Sequence, residues 1–221
     1  MQPSLKIVAE YNYATTSRQR EIINRLNQPQ EDTRFYWHDD FRKTVHKYYY
    51  EWNQCDKKAK AHLHYLLHKA KTEKKRQKIK LAIESFNLFL ENKPNMPKGA
   101  KVLDKNILHG KLNLNGQEIK VGLDVVFEYI KGNKKFIGAY VFASKKSKKH
   151  QFGTNEAKAC SCLAYQYLKS LGMEYEVSHT YCKTLDIRSK VKEASPKSSE
   201  YLLRHLAFTA KTIALWTTSS T

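Results

Sequence analysis

The chain has 221 residues, 41% of them hydrophobic and 12% aromatic, which excludes a wholly disordered protein and allows one domain with a sizeable core. Forty Lys and Arg residues against 21 Asp and Glu give a formal net charge of +19. An excess of this size costs the compact state self-repulsion, which an anionic partner would relieve.

The positions of the charged residues and of the cysteines indicate the class of binding partner and the cellular compartment. Lysines recur in turns and along a polar helical stretch, not beside an exposed apolar helix face, which favours nucleic acid (DNA or RNA) over a membrane surface. Four scattered cysteines and an N-terminus without an apolar core fit neither a disulfide scaffold nor a signal peptide. These features predict a cytoplasmic protein with no membrane partner.

Residues 1–98 are predicted to form a helical N-terminal region. The stretch "TTSRQREIINRLNQPQ" predicts a short helix that begins at capping residues and ends before Pro29. The aromatic stretch "FYWHDDFRKTVHKYYYEW" places Phe41, Val45 and Tyr48 or Tyr49 at helical spacing, which predicts a second helix packed through its rings.

A long segment without Pro or Gly follows, from Asp56 to Asn92. Two apolar clusters flank the polar stretch "KTEKKRQK", so the segment is either one long helix with a solvated middle or two helices that meet at a polar bend. In both cases four of the five basic side chains of that stretch face solvent and are named as candidates for phosphate contact: Lys74, Lys75, Arg76 and Lys78.

Residues 99–221 are predicted to form an α/β core. Alternating segments on either side of Asn115-Gly116 predict a hairpin, and the turn "KGNKK" leads into the apolar strand "FIGAYVFA", so three strands are expected as a meander. A helix from Thr154 or Asn155 to Gly172, a fourth strand and a closing helix follow. The predicted fold class is α/β (α+β): a helical N-terminal half and a β-β-β-α-β-α core with a mixed sheet, in one compact unit.

The core resembles the PD-(D/E)XK nuclease superfamily, especially its RecB-like branch, in which three strands precede a helix and a further strand. "GLD" places Asp124 where the family has a metal-binding Asp, and "VFASKK" places Lys145 where it has a lysine. The resemblance implies a restriction-endonuclease-like fold, in which carboxylates hold Mg²⁺ against a phosphodiester and the lysine orients the attacking water.

One acid of that pattern is absent, because Ala143 stands two residues before Lys145. A displaced acid, Glu128 on the strand of Asp124 or Glu156 on the following helix, would have to replace it. If the protein is an active enzyme, the catalytic set is therefore Asp124, Glu128, Lys145 and Glu156 with Asp124 on Mg²⁺; otherwise no cofactor is expected.

A second resemblance predicts a different partner. "FGTNEAKACSCLAYQYLKSL" is similar to the last helix of a double-stranded RNA-binding domain, in which lysines at the helix N-terminus straddle phosphates of the duplex. Lys158 would have that role here.

Basic residues near the predicted strands complete the candidate nucleic-acid-binding set. The turn before the third strand contributes Lys131, Lys134 and Lys135, and the run after it contributes Lys145, Lys146, Lys148 and Lys149. Each lysine that neutralises a phosphate steepens the salt dependence of binding.

The sequence thus predicts a nucleic-acid-binding protein with a nuclease-like fold and lost catalysis, serving with other proteins in a prokaryotic defence or recombination assembly, such as an antiviral one. The alternatives are an active Mg²⁺-dependent DNA or RNA nuclease with a displaced acid, a double-stranded-RNA-binding module, and a protein-protein adaptor without nucleic-acid contact.

Overall fold

A computed structural model describes residues 2–28, 39–143 and 152–218 of the chain. Within these residues the protein is a mixed α/β structure, which confirms the predicted class at that level. The helices are α1 (Leu5–Tyr13), α2 (Thr16–Asn27), α3 (Asp39–Tyr50), α4 (Asp56–Lys69), α5 (Glu73–Asn92), α6 (Thr154–Ser170) and α7 (Glu200–Thr218). The strands are β1 (Lys101–Val102), β2 (His109–Leu114), β3 (Gln117–Gly122), β4 (Val125–Lys131), β5 (Lys134–Ala143), β6 (Glu176–Asp186) and β7 (Lys192–Ala194).

Five of the strands form one mixed sheet in the order β1-β4-β5-β6-β7, and β2 and β3 form a separate hairpin. Strands β5 and β6 are parallel, whereas the other neighbours in the sheet are antiparallel. Parallel neighbours need a crossover connection, and α6 lies in the chain between these two strands.

The predicted meander of three strands is wrong, because its middle strand is in fact two strands, β3 and β4, that belong to different sheets. The Asn115-Gly116 turn is confirmed, with φ of 49° and 82°, and it joins β2 to β3. The chain then changes sheet within two residues. The backbone N–H of Leu123 donates to Leu108 in the hairpin segment (2.7 Å), while that of Asp124 donates to Tyr140 of the large sheet (2.9 Å).

The N-terminal region is helical as predicted, with two additions that the structure supplies. The segment from Asp56 to Asn92 is two helices, since Thr72 begins the second one by accepting from the backbone N–H of Lys75 (3.3 Å). Helix α1 was not predicted from the sequence. Its N-cap is Ser4, and its inward face is completely buried.

The helices of the N-terminal region and of the core together cover both faces of the large sheet. Val126 and Val141 point to the face covered by α1, α6 and α7, whereas Phe127 and Phe142 point to the face covered by α3, α4 and α5. Alternation of side chains along each strand produces this division. The sheet therefore has a helical layer on both sides.

Packed aromatic rings join α3 and α5 to the sheet. The ring of Phe89 is fully buried and lies 6.2 Å from Phe41, 5.8 Å from Tyr48 and 5.1 Å from Phe142, centroid to centroid and edge-on in each case. Edge-to-face pairs of this kind add to the stabilisation from burial. The aromatic density that the sequence shows in α3 is thus mainly core.

Replacing either of two adjacent tyrosines of α3 should change the free energy of unfolding, in opposite directions for the two residues. The hydroxyl of Tyr48 donates to Asp56 (3.0 Å) and accepts from Lys93, whereas the buried hydroxyl of Tyr49 has no hydrogen-bond partner among the described residues. Replacing an unsatisfied buried hydroxyl removes a desolvation cost, so we expect Tyr49→Phe to raise the free energy of unfolding by about 1 kcal/mol and Tyr48→Phe to lower it by a similar amount. Urea-induced unfolding measures both, and two changes of the same sign would contradict the assignment.

Candidate functional site

Asp124 lies between three elements and contacts a cation from two of them. Its Oδ1 accepts from Nε (3.2 Å) and Nη2 (2.9 Å) of Arg42 in α3. Its Oδ2 accepts from the backbone N–H of Phe142 in β5 (2.8 Å) and lies 3.5 Å from Nζ of Lys6 in α1. Lys6 also donates to the carbonyl of Phe142 (2.7 Å). This set of residues is called the Asp124 junction below.

The electrostatics of the junction favour a charged carboxylate. Burial by itself raises the pKa of Asp124, but the charges of Lys6 and Arg42 and the N–H of Phe142 outweigh it and hold the pKa below its ordinary value. Burial lowers the pKa of Lys6, and the charge of Asp124 opposes that shift. With its side chain only 11% exposed, Asp124 is a paired acid and not a solvated edge charge.

The two candidate replacement acids do not join Asp124. Glu128 lies four residues along the strand, about 13 Å at the usual rise, and accepts from the hydroxyl of Tyr175 (2.7 Å). Glu156 caps its own helix by accepting from the backbone N–H of Gly153 (3.1 Å). Ala143, at the position of the absent acid, is buried. Across the described ranges, no group of three or more His, Cys, Asp or Glu residues has the placement to hold a metal ion.

The lysine run after β5 lies outside the described residues. This applies to Lys145, the predicted catalytic lysine, and to the binding candidates Lys146, Lys148 and Lys149. The other strand-linked candidates are exposed. Lys131 and Lys135 flank the β4–β5 turn, Lys134 pairs with Glu176 (2.5 Å), and Lys158 lies in the first turn of α6.

Within the described residues, the largest group of basic residues is the packed helix pair α4–α5. Residues 56–80 contain ten Lys and Arg against two Asp and Glu, a net of +8 within a chain whose total is +19. Nine of the ten are exposed, and Lys78 is half-buried beside Asp40 (3.8 Å). We call this group the basic hairpin: Lys57, Lys58, Lys60, Lys69, Lys71, Lys74, Lys75, Arg76, Lys78 and Lys80. It extends the predicted set of four in both directions.

A cleft of about 300 Å³ opens beside Asp124. Its polar rim contains Arg42, Lys43, His46 and His109, and leucine and valine side chains form its floor. Burial first, and then the charge of Lys105, lower the pKa of His46, so that ring is neutral at pH 7. With Asp124 its only acid among the described lining residues, the cleft suits an anion better than a cation.

Three of the four cysteines, Cys160, Cys162 and Cys182, are buried and offer no nucleophile. Burial raises the pKa of Cys160 and Cys162 to about 11 and that of Cys182 to about 12. Because the thiolate is the reactive form, these cysteines act as core residues, which is the role their burial indicates.

Sequence patterns did not identify the partners of Asp124. Lys6 and Arg42 are separated from it by 118 and 82 residues, and no local spacing connects them. A signal was available for the other six members of the basic hairpin, since they lie in the same segment without Pro or Gly in which four basic residues had been identified: Lys57, Lys58, Lys60, Lys69, Lys71 and Lys80.

No protein-family model, no curated protein and no solved structure matches this chain. None of the helices within the described ranges combines the length and apolar character needed to cross a membrane.

Proposed function

We propose that the protein binds nucleic acid through the basic hairpin. The observation that carries the proposal is the concentration of charge: nearly half of the net +19 lies in 25 consecutive residues that form one exposed pair of helices. A stripe of Lys and Arg along helices is the electrostatic footprint of a phosphate-backbone interface. Tyr65 is the one large exposed aromatic side chain described there, at 58% exposure, which favours phosphate contact over base stacking.

We propose further that the core is restriction-endonuclease-like and does not cleave. Strands β1, β4 and β5, helix α6 and strand β6 follow one another in the order of the PD-(D/E)XK core, with the β2–β3 hairpin as an insertion, and this order supports the assignment. The Asp124 junction supports lost catalysis, because Arg42 and Lys6 occupy the carboxylate on which a nuclease would hold Mg²⁺.

Salt-dependent binding tests the first proposal. Fluorescence anisotropy with a labelled 25-base-pair DNA duplex, the matching RNA duplex and a single strand should give a slope of log K against log salt of about −4 or steeper for at least one of them. Lys69→Gln, Lys71→Gln and Lys75→Gln together should weaken that binding about tenfold or more and reduce the slope by about 2 to 3.

The matched control removes three exposed lysines from the other elements, Lys98→Gln, Lys101→Gln and Lys120→Gln. Because the two triple variants carry the same net charge, a loss confined to the first locates the interface on the basic hairpin. Equal losses would refute that location, and no binding at low salt would favour a protein-protein adaptor. Cleavage of a duplex in Mg²⁺ or Mn²⁺ by the unmodified chain would overturn the non-catalytic assignment.

A further inference from the structure

Helix α7 presents apolar side chains on two opposite faces. One face is buried through Leu206, Ala210 and Ile213. The opposite face carries three of the eight large hydrophobic side chains that are exposed in the described residues: Tyr201 at 77%, Phe208 at 71% and Leu215 at 58%. We call these three residues the α7 stripe. Trp216, also exposed, lies about 100° round the helix from Leu215 and faces α2.

The spacing of the α7 stripe is that of a helix-packing seam. Tyr201, Phe208 and Leu215 are seven residues apart, so they fall on one line along the helix, as residues at equivalent heptad positions do. Scattered exposed apolar residues are ordinary, but a continuous patch of aromatic and leucine side chains marks an interaction surface. Fourteen residues separate the first from the last, about 21 Å of helix.

A pocket at the N-terminal end of the α7 stripe is positively charged. This cavity of about 440 Å³ lies between α1, α6 and α7, and Tyr201 and His205 form its α7 wall. Lys158 and the first turn of α6 face it from the other side, and a helix N-terminus adds partial positive charge. Its described lining includes no acid, and Glu156 of the same turn is engaged with the N–H of Gly153 (3.1 Å).

We infer that the α7 stripe and this pocket together dock an acidic amphipathic helix of a partner protein. The apolar face of that helix packs along Phe208 and Leu215, and a carboxylate near one end enters the pocket beside Lys158. Charge complementarity selects an acidic occupant, because Lys158 lines the pocket and Lys211 is exposed on α7 between Phe208 and Leu215. The helix-in-groove mode uses apolar anchors that recur along one face, including at i and i+7, and the stripe offers three of them, one every second turn.

A second copy of the chain fits this surface less well. Antiparallel pairing of two α7 helices about Phe208 would bring Arg204 of each copy close to Lys211 of the other, and both copies carry the same large positive charge. Duplex nucleic acid also fits less well, because the apolar side chains of the stripe offer nothing to phosphates. The docking surface is separate from the basic hairpin, so either proposal can fail without the other.

Two labelled model peptides test the docking surface by fluorescence anisotropy. The first is a 21-residue helix with leucines at i, i+3 and i+7 spacing and glutamates elsewhere; the second has the same composition in scrambled order. The first should bind at least about tenfold more tightly than the second. Phe208→Asp should remove that difference, and Lys158→Glu should weaken binding of the first peptide about threefold or more.

The control variant is Ile130→Asp, which makes the same kind of change at an exposed apolar residue outside both α7 and the basic hairpin and should leave the preference intact. Leu215→Asp provides a second variant within the stripe, and the circular dichroism melt of each variant reports its folding. The inference is overturned if the scrambled peptide binds equally well or if the preference survives Phe208→Asp. Concentration-dependent dimerisation, or binding to anionic vesicles, that Phe208→Asp abolishes would assign the surface to another occupant and overturn it too.

Discussion

Asp124→Ala is expected to lower the free energy of unfolding by about 3 kcal/mol at pH 7. The change removes the carboxylate that contacts the half-buried Nζ of Lys6 and the guanidinium of Arg42, and it deprives the N–H of Phe142 of its acceptor. This loss of stability is at the low end of the range for a buried ion pair that loses one partner, because the Arg42 side chain is 47% exposed and partly solvated. Urea-induced unfolding followed by circular dichroism measures the loss.

The pH dependence of this loss has a definite sign. The pKa of Asp124 is lower in the folded protein than in the unfolded chain, so its contribution is complete above the unfolded pKa and disappears as the pH falls through the folded one. The difference between the wild type and Asp124→Ala should therefore shrink on acidification. A control at the exposed Glu174, Glu174→Ala, should change stability by less than about 0.5 kcal/mol. A loss under about 1 kcal/mol at pH 7, or one that grows in acid, would refute the role of the junction.

The expected instability of Asp124→Ala means that its folding must be measured before the variant is used in a cleavage assay. If Asp124→Ala unfolds part of the protein, lost cleavage in that variant does not identify a metal ligand. Asp124→Asn keeps the shape of the side chain and its contact with the N–H of Phe142 while removing the charge. A variant shown to be folded under the assay conditions is therefore the proper comparison.

Gly138→Ala is expected to destabilise the protein by about 3 kcal/mol. A Cβ at Gly138 would lie 2.9 Å from the ring of Phe127, from Cβ of Tyr181 and from the backbone carbonyl of Tyr181, and a carbonyl within a strand cannot rotate away. The position coincides with the shift in β5–β6 register between Ile137 and Ala139. The close approach of the two strands thus requires a residue without a side chain. Thermal and urea unfolding both report the effect.

Gly122→Ala is the matched control because it is also a strand glycine without a positive φ. Its nearest neighbour would be Nδ1 of His109 at 3.6 Å, an ordinary contact, so the change should be neutral or stabilising by up to about 1 kcal/mol. Equal effects at the two glycines would show that loss of backbone freedom, and not the approach of Tyr181, determines the outcome.

Local signals in the sequence predicted individual elements well. The Asn115-Gly116 turn and the α6 helix ended by Gly172 depend on neighbours within a few positions, which is the range over which capping and turn chemistry act. The sequence left open whether residues 56–92 form one helix or two. The pairing of strands depends on the whole chain. Alternation continues through "QEIKVGLDVVFEYI", and nothing in that pattern reveals that Leu123 and Asp124 carry the chain from one sheet to another.

The residues of the candidate functional site show the same difference: local patterns predicted some of them, and contacts between distant parts of the chain could not be predicted. An exposed run of lysines is visible in sequence because an unbroken polar stretch buries nothing, and the predicted Lys74 and Lys75 are exposed in α5. The identity of a buried acid's partners is a property of the folded state, so Arg42 and Lys6 had no signal. In α7 apolar residues surround most of the helix, and periodicity alone cannot say which of them, Leu206 or Phe208, remains uncovered.

The position of α1 has a consequence for the order in which the chain acquires its structure during synthesis. This first helix packs against α6 and α7, which leave the ribosome some 150 to 200 residues later, an interval of roughly 10 to 40 s at ordinary translation rates. Throughout that interval Leu5 and Val8 lack the cover of α6 and α7, although α2 and β3, which also contact α1, emerge before α6. The layer of α1, α6 and α7 can close only after α7 has emerged, so this side of the sheet assembles late and exposes apolar surface to chaperones until then.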